Sequence, residues 1–305
     1  MNSISENLKN RDQERIINQF KTAKQYTINF IKLSSEEGVI RNGGRRGTKF
    51  GPTALLNTFK KLAQKSDSNS FNEIELSNPE LEAKDFKNAQ SETTTNIINE
   101  LKAIEATKHV FIGGGHDYIY PCVEAIKNVN PNRPLLIINI DPHLDTRVDE
   151  FYNSGTPFRQ IDQNATENEN IELIQLGTHQ FANVKSSKKE LAHIHQKILG
   201  FDEIKNQTNN FNDNFDFFQL YFKTALEKNP IVILSLDVDA IESSVMEAVS
   251  AVNHRGFPVK FVEDIFDYFK ENQSTYYGLY EYNPLYDNLS GKGARFLASL
   301  IYRLV

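Results

Sequence analysis

Short apolar runs typical of buried strands alternate along this chain with longer segments that have the 3.6-residue period of amphipathic helices. Alternation of this kind favours an α/β fold with a mostly parallel central sheet wrapped by helices. In such sheets ligands bind beyond the carboxyl ends of the strands, so polar residues that follow a run are candidates for a functional site. The runs are VFIGGG, PLLIINI, IELIQLG, PIVILSL and YYGLYEY, and the helical segments are EAIKNVN, SKKELAHIHQKI, FQLYFKTALEK and VKFVEDIFDYFKEN.

Further segments outside this alternation also have recognisable patterns. A Gly-Pro-Thr sequence precedes ALLNTFKKLAQ, which predicts a helix with proline in its first turn. The closing segment GARFLASLIYRLV is apolar enough to pack on the sheet or on a neighbouring subunit, and its period does not choose between them. The polar stretches Ser66 to Asn72 and Asn206 to Asn214 are expected to be surface loops. Because no repeat or linker interrupts the pattern, we expect residues 1–305 to form a single domain.

Metal-binding side chains follow three of the apolar runs. In an extended segment, side chains at positions i, i+2 and i+4 lie on the same face. The spacing Asp-x-His-x-Asp therefore predicts that Asp141, His143 and Asp145 converge. Aspartate after a buried strand is also common as a turn former or a helix cap, so one cluster alone would be a weak indication. The six candidate ligands are His116, Asp141, His143, Asp145, Asp237 and Asp239.

Four aspartates and two histidines form a hard, oxygen-rich ligand set without thiolates. Such a set suits Mn²⁺ better than structural zinc, although Fe²⁺, Co²⁺ or Zn²⁺ could bind the same groups. In binuclear hydrolases two cations lie about 3.5 Å apart. The three clusters together predict a two-metal site at the carboxyl ends of the strands, and hence an enzyme.

Composition and charge exclude several classes of protein. The net charge of −6 comes without a basic stripe, which argues against a nucleic-acid partner. No run reaches the roughly 18 apolar residues that a membrane span needs, and the polar start MNSISENLKNRDQER does not resemble a secretory signal. The single cysteine, Cys122, is expected to be a buried thiol in a helix. We therefore expect a cytoplasmic enzyme that acts on a small molecule, without a membrane partner.

Several motifs resemble those of the ureohydrolases, the family of arginase, agmatinase and formimidoylglutamase. The resemblance covers most of the chain and implies a three-layer α/β/α, arginase-like fold. Within the family, GGGH, Asn-x-Asp-x-His-x-Asp-x-Arg and Ser-Gly-Thr-Pro-Phe are most similar to formimidoylglutamase, which cleaves N-formimidoyl-L-glutamate to L-glutamate and formamide in histidine degradation. The motifs are GVIRNGGRRGTKFGPTALL, GGGHD, NIDPHLDTR, NSGTPFRQI, SLDVDA, YEYNPLYD and GARFLASLI.

The resemblance implies two Mn²⁺ ions per subunit and a homo-oligomer. Asp141 and Asp237 would bridge the two ions. A hydroxide held between two cations is a nucleophile at neutral pH, because coordination lowers the pKa of water, and it would attack the C=N carbon of the substrate. One ion would be held by His116, Asp141, Asp145 and Asp237, and the other by Asp141, His143, Asp237 and Asp239.

The resemblance also assigns catalytic and substrate-binding residues. Asp145 would transfer a proton to the departing amine, which leaves readily only once protonated. Glu281 would bind the cationic end of the substrate. Taken by itself, Glu281 could also be an ordinary carboxylate at the end of a strand, without a role in substrate binding. Arg147 is suited to a substrate carboxylate because its planar fork binds one bidentately. The amino-acid end of the substrate would lie in the turn Asn153, Ser154, Gly155 and Thr156, and His179 follows another strand as a further candidate.

The chain departs from the family pattern in several places. Residues 246–252 read MEAVSAV, where the family usually has Ala-Pro-Gly-Val-Ser-x-Pro, so a different loop path is expected near the metals. Phe158 stands where arginase-like sequences usually carry a histidine, and Asp117 stands where formimidoylglutamase tends to have glutamate. The segment NGGRRG could cradle an anion but lacks the lysine and hydroxyl of a phosphate-binding loop, and the resemblance implies that it lies at the active-site rim.

Two classes of function remain open from the sequence. The main prediction is a manganese-dependent hydrolase of a linear amidine or guanidine, with formimidoylglutamate as the first substrate and arginase or agmatinase activity as alternatives. The other is a catalytically silent family member that keeps the metal ligands. Retention of all six ligands and Glu281 favours the enzyme, and the altered segment 246–252 favours the silent protein.

Overall fold

The computed structural model describes residues 12–167 and 169–305, which contain one eight-stranded sheet. The first eleven residues, which belong to the segment predicted not to be a secretory signal, lie outside this described part. The strands are β1 (Tyr26–Leu33), β2 (Phe71–Glu75), β3 (Ala106–Gly113), β4 (Leu135–Ile140), β5 (Ile171–Thr178), β6 (His195–Gly200), β7 (Ile231–Asp237) and β8 (Thr275–Tyr280). Their order is β2-β1-β3-β8-β7-β4-β5-β6, and all the pairings between them are parallel.

The predicted parallel sheet is confirmed, and the five apolar runs lie in β3, β4, β5, β7 and β8. Every residue of β4 and β7 is buried. A strand that is covered on both faces has no solvent side, which is why these sequences are continuously apolar and do not alternate with polar residues. The central strands were therefore the easiest to predict.

Helices cover both faces of the sheet and complete the predicted α/β/α layers. In β4, Leu136 and Ile138 belong to one hydrophobic cluster, whereas Leu135 and Ile137 belong to the other. The helices are α1 (Glu37–Arg41), α2 (Gly51–Phe59), α3 (Pro79–Lys84), α4 (Phe86–Ala103), α5 (Ile119–Val129), α6 (Pro157–Asn164), α7 (Phe201–Gln207), α8 (Asn214–Glu227), α9 (Val259–Phe269) and α10 (Lys292–Tyr302). The first cluster includes residues of α2, α8, α9 and α10, and the second includes residues of α4, α5 and α6.

One helical prediction is wrong. The segment SKKELAHIHQKI does not form a helix, because its end lies in the edge strand β6 and its start in a short 3-10 turn at Lys185–Lys188. Most residues of β6 are exposed or half-buried, so the sequence has no continuous apolar run there. Hydrogen bonds to β5 decide its conformation. Neither β1 nor β2 was predicted, and β2 takes in Phe71 and Asn72, at the end of a stretch expected to be a loop.

The predicted terminal helices are confirmed with changed boundaries. Pro52 lies in the first turn of α2, which ends at Phe59, before the predicted segment does. In α10, Leu297, Leu300 and Ile301 are fully buried in the main hydrophobic cluster. The closing segment therefore packs on the core of its own chain. Cys122 is buried in α5, as expected.

The helices of the described residues do not include one that is both long and apolar enough to cross a membrane.

Candidate metal centre

The six candidate ligands all lie at or just beyond the carboxyl ends of three strands. His116 follows β3 in a short 3-10 turn, Asp141 comes directly after β4, and Asp237 is the last residue of β7. Because the strands are parallel and the order β3-β8-β7-β4 makes them near neighbours, these ends meet at one edge of the sheet. His143 and Asp145 follow Asp141 in the same loop, and Asp239 lies in the 3-10 turn after β7.

The ligand atoms form two groups that share Asp141. Within each group one nitrogen or oxygen from every member lies within 4.8 Å of the others. The Nδ1 atom of His116 is 3.1 Å from Asp141 Oδ2, 3.0 Å from Asp145 Oδ2 and 3.3 Å from Asp237 Oδ2. The Nδ1 atom of His143 is 3.3 Å from both Asp141 Oδ1 and Asp239 Oδ2. The first group is His116, Asp141, Asp145 and Asp237, and the second is Asp141, His143 and Asp239.

The two oxygens of Asp141 point to different groups, which is the arrangement expected of a bridging carboxylate. In octahedral coordination with bonds of about 2.1 Å, neighbouring ligand atoms lie about 3 Å apart, close to the separations seen here. Asp237 belongs to the first group by these distances, so its predicted contact with a second ion stays a prediction.

His116 is oriented by a hydrogen bond on the far side of its ring. Its Nε2 atom lies 2.9 Å from the hydroxyl oxygen of Ser235 in β7. If Nε2 carries the proton, the lone pair of Nδ1 points towards three carboxylates, and Nδ1 is buried without a hydrogen-bond partner. A buried nitrogen that faces only carboxylate oxygens needs a cation or a proton between them. These residues therefore fit a divalent metal.

The loop after β4 does not bring its ligands together in the predicted way. Residues 141–145 are no longer in a strand, so their convergence does not come from the alternation of an extended segment. Asp145 has a positive φ of 50°, a strained conformation for a residue with a side chain. This backbone turn brings the Asp145 carboxylate to His116.

The amide side chains of Asn183 and Gln175 hold this loop in place. The Oδ1 atom of Asn183 accepts a hydrogen bond of 2.8 Å from the backbone N–H of Leu144, and its Nδ2 donates to the carbonyl of Pro142 at 2.9 Å. Gln175 in β5 donates to the carbonyl of Leu144 at 2.8 Å. Such second contacts fix the orientation of metal ligands. No sequence motif points to Asn183, which lies about forty residues after this loop along the chain.

The carboxylates lie so close together that burial and mutual repulsion shift their affinities for protons. Burial and the neighbouring Asp141 raise the pKa of Asp145 to about 6. Burial and Asp237 raise the pKa of Asp239 well above its ordinary value. Burial alone would lower the pKa of His116, but the carboxylates around it outweigh burial and raise that pKa well above the ordinary range. A centre with this excess of negative charge attracts cations.

Glu281 faces the same site from the end of β8. Its carboxylate accepts a hydrogen bond of 3.0 Å from the backbone N–H of His116, and its φ of 68° is again positive. Burial and the nearby Asp237 raise the pKa of Glu281 well above its ordinary value. Positive φ values at both Asp145 and Glu281 indicate that local backbone strain positions these two carboxylates.

Arg147 and the turn at residues 153–156 lie side by side at the rim. The guanidinium contacts Asn42 and donates to Asn153 Oδ1 at 2.9 Å. Gly155 lies beneath the guanidinium, where an added Cβ would come within 2.8 Å of the Arg147 Cζ atom. The Oγ atom of Ser154 accepts a hydrogen bond of 2.9 Å from Asn42. The Thr156 hydroxyl lies 2.9 Å from both the N–H and the carbonyl oxygen of Asn153, which closes the turn.

His179 is placed differently from the other candidates. Its ring lies between Phe181 and Phe201, with centroid distances of 4.8 and 4.9 Å. Its Nε2 atom is 3.1 Å from the carbonyl oxygen of Arg255. Its contacts are therefore with aromatic rings and backbone, and a role in substrate binding stays a prediction.

A cavity of about 330 Å³ opens above the two ligand groups. Sequence reasoning missed several of its polar walls, because they come from loops that are remote along the chain. The NGGRRG segment was expected at the rim, and it contributes Asn42, Gly43 and Gly44 to the lining. The other lining residues are Val39, His143, Asp145, Arg147, Ser154, Ala182, Asn183, Val184, Ser187, Asp237, Asp239, Ser250, Ala251 and Glu281.

The segment that departs from the family pattern lies against this cavity. Met246, Ala248 and Val249 are fully buried, and Ser250 lines the cavity. The hydroxyl of Ser250 accepts a hydrogen bond of 2.9 Å from the backbone N–H of Arg45. Burial and this contact hold the segment without the prolines and glycine that the family uses.

Phe158 is fully buried in α6 and packs edge-on against the ring of His116, with centroids 5.8 Å apart. It supports the ligand through an apolar contact and offers no hydrogen-bonding group to the centre.

Comparison with known proteins identifies a family model and several similar sequences. The sequence model of the arginase family matches residues 36–305. A formimidoylglutamase of Macrococcus caseolyticus is 26% identical over 280 residues, covering 92% of this chain and 84% of the relative. One from Staphylococcus aureus strain RF122 is 25% identical over 292 residues, covering 93% and 88%.

Solved structures show the same fold. The chain is similar to formimidoylglutamase of Bacillus subtilis, with a TM-score of 0.80 and 17% identity over 95% of this chain and 90% of that one. It is also similar to Trypanosoma cruzi formiminoglutamase with Mn²⁺, with a TM-score of 0.77 and 20% identity over 95% and 96%.

Proposed function

The chain belongs to the arginase family, and from this membership we propose that it hydrolyses the C–N bond of N-formimidoyl-L-glutamate, releasing L-glutamate and formamide. The observation that carries the proposal is the pair of ligand groups sharing Asp141 beneath a cavity lined by Glu281 and Arg147. A cationic amidine and a carboxylate are the two ends of this substrate. Curated relatives named formimidoylglutamase align with most of this chain, and this supports the choice of substrate.

We propose that two Mn²⁺ ions per subunit occupy the centre. The hard donor set, and the Mn²⁺ in the similar Trypanosoma cruzi formiminoglutamase structure, support manganese. When bound, such ions lower the pKa of coordinated water and supply a nucleophile at neutral pH. The residues that would hold them are His116, Asp141, His143, Asp145, Asp237 and Asp239.

The side chains around the centre would hold the substrate and transfer a proton. The carboxylate of Glu281, buried and aimed at the centre, holds the cationic amidine so that its carbon faces the metals. Asp145 is the acid that would deliver a proton to the leaving nitrogen, as its match to the family motif implies. Its Oδ2 atom lies 3.0 Å from His116 Nδ1 in the ligand group, so the other carboxylate oxygen is the one left for proton transfer.

The substrate's amino-acid end extends towards the rim. Arg147 donates to one of its carboxylates, and the turn Asn153, Ser154, Gly155 and Thr156 provides hydroxyl and backbone groups for the rest. The contacts of Asn42 with Arg147 and with Ser154 make Asn42 a positioning residue for both.

The first test is turnover of formimidoylglutamate, arginine and agmatine in parallel by protein stripped of metal and reloaded with Mn²⁺. Formamide release from formimidoylglutamate alone, lost in Asp141→Ala, is the expected result. Urea release from arginine or agmatine would instead identify a guanidine hydrolase. Manganese uptake without turnover of any of the three would contradict the proposal and favour a silent family member. An Asp216→Ala variant, which removes an exposed carboxylate on α8, controls for the substitution itself.

A further inference from the structure

Among the described residues that line the cavity above the metal centre, Arg147 is the one lysine or arginine side chain. It shares the cavity with four carboxylates, which are those of Asp145, Asp237, Asp239 and Glu281. If those carboxylates bind cations and the amidine end of a substrate, Arg147 is the lining side chain that keeps a permanent positive charge for a substrate carboxylate.

Arg147 already has a carboxylate partner within the chain. Its Nε atom donates to Asp149 Oδ2 at 3.0 Å, and its Nη2 atom lies 2.8 Å from the same oxygen. Asn153 Nδ2 donates to that oxygen at 2.9 Å as well. The Nη2 atom also contacts the amide oxygens of Asn42 and Asn153. Asp149 therefore occupies the Nε/Nη2 edge of the guanidinium, which is one of the edges that can bind a carboxylate bidentately.

The occupied edge affects how a substrate carboxylate can bind Arg147. The substrate carboxylate must approach another edge of the guanidinium or displace Asp149. In either case the negative charge of Asp149, about 3 Å from the guanidinium, repels it. The ion pair is partly screened, since the Arg147 and Asp149 side chains are 27% and 28% exposed. Asp149 can thus turn towards water when displaced, so the pair weakens carboxylate binding without blocking it.

We propose that Asp149 is a specificity-determining residue that competes with the substrate carboxylate for Arg147 and so sets how strongly the site prefers anionic over neutral or cationic substrates. The location of the substrate carboxylate rests on the function proposed above. Asp149 does not act on the reacting atoms, and its effect is confined to binding.

The test replaces the charge and keeps the shape. Asp149→Asn retains an oxygen that can accept from Arg147 Nε but removes the competing negative charge. Glu150→Gln, which removes the neighbouring exposed carboxylate, is the matched control. Binding of L-glutamate and of agmatine, which has no carboxylate, is measured by calorimetry on the Mn²⁺-loaded proteins, and thermal melting checks that each variant is folded.

Asp149→Asn is expected to bind L-glutamate about twofold to fivefold more tightly than the wild type, which is the range for a partly screened charge pair. Its affinity for agmatine stays the same or falls, and Glu150→Gln binds both ligands like the wild type. Unchanged, weaker or undetectable glutamate binding by Asp149→Asn would overturn the inference. So would an equal gain for agmatine, because that would indicate a general loosening of the rim.

Turnover separates this inference from the proposed function. If formimidoylglutamate is the substrate, Asp149→Asn lowers its KM by a similar factor while kcat stays the same. If the wild type does not hydrolyse formimidoylglutamate but the glutamate affinities change as expected, the proposed substrate is wrong and the role of Asp149 stands.

Discussion

At the scale of single residues, His116 shows how one ring is fixed from several sides. Its backbone N–H binds Glu281, its Nε2 faces Ser235, and its ring stacks on Tyr280 with centroids 5.0 Å apart. Phe158 closes a further side. The lone pair of Nδ1 is consequently held in one direction. A cation can therefore bind without the entropy cost of ordering the His116 ring.

Ser235→Ala tests this orientation without touching a proposed ligand. Loss of the hydroxyl leaves His116 Nε2 without its partner and frees the choice of tautomer, so Mn²⁺ affinity is expected to fall about tenfold to a hundredfold. Competition with a fluorescent chelator measures the affinity. Ser299→Ala, at an exposed position of α10, is the control, and equal affinities in the two variants would show that the hydroxyl has no orienting role.

At the scale of elements, the short helix α1 joins the strand end that carries His116 to the turn at the rim. The carbonyl of Gly38 in α1 accepts a hydrogen bond of 3.0 Å from the N–H of Ser154. On its other side, an added Cβ at Gly38 would come within 2.0 Å of Asp117 Oδ1. The close approach of α1 to Asp117 therefore determines where the 153–156 turn lies.

Gly38→Ala is expected to move α1 and to destabilise the protein by about 2–3 kcal/mol, because the buried Asp117 carboxylate has little room to shift. Urea unfolding gives the stability, and the KM of the substrate reports the displaced turn. Gly200→Ala is the matched control, since its Cβ would meet only the carbonyl oxygen of Thr178 at 3.6 Å. Similar behaviour of the two variants would argue against the close contact.

Helix α3 contains a buried carboxylic acid, Glu82, whose titration affects the free energy of unfolding. Glu82 contacts the hydroxyls of Ser35 and Tyr118, and burial raises the pKa of its carboxyl. The folded state thus favours the protonated acid. Its contribution to stability is full below the pKa of the unfolded chain and is lost as the pH rises through the folded-state pKa.

Glu82→Gln should remove this dependence, because an amide stays neutral. As the pH rises above the ordinary glutamate pKa of 4.5, the wild type is expected to lose more stability than the variant, and urea unfolding at several pH values measures the difference. Glu80→Gln, an exposed change in the same helix, should follow the wild type. Parallel pH profiles for wild type and Glu82→Gln would mean that Glu82 does not titrate differently on folding.

At the scale of the whole molecule, the centre joins the ends of three strands across the sheet. The ligands come from after β3, after β4 and from the end of β7, with Glu281 after β8. A cation bound there links segments that are more than a hundred residues apart, and it binds the folded chain only. Metal binding and folding are therefore thermodynamically linked.

Removal of metal with a chelator is expected to lower the Tm, and Mn²⁺ should restore it. A site filled at a hundred times its Kd contributes about 2.7 kcal/mol of stability. Differential scanning calorimetry with and without Mn²⁺ measures the change. Asp141→Ala, which lacks the shared carboxylate, should respond far less, and an equal response would place the stabilising ion elsewhere.

The sequence by itself determined the α/β class, the central strands and the six candidate ligands. Continuous apolar runs such as LLIINI can only be buried strands or helices, and their short length and polar ends identify strands in a parallel sheet. Ligand types are equally local, because a carboxylate or imidazole after such a run is readable from the chain alone. The edge strand β6 could not be predicted in this way, because its half-exposed residues have no continuous apolar pattern.

Only the tertiary structure decided how these parts meet. The strand order set which strand ends are neighbours, and the positive φ values of Asp145 and Glu281 set the direction of two carboxylates. The cavity walls at Asn42, Asn183 and Ser250 come from loops far apart in sequence. Contacts of this kind depend on the packing of the complete chain, so no local pattern of polar and apolar residues could encode them.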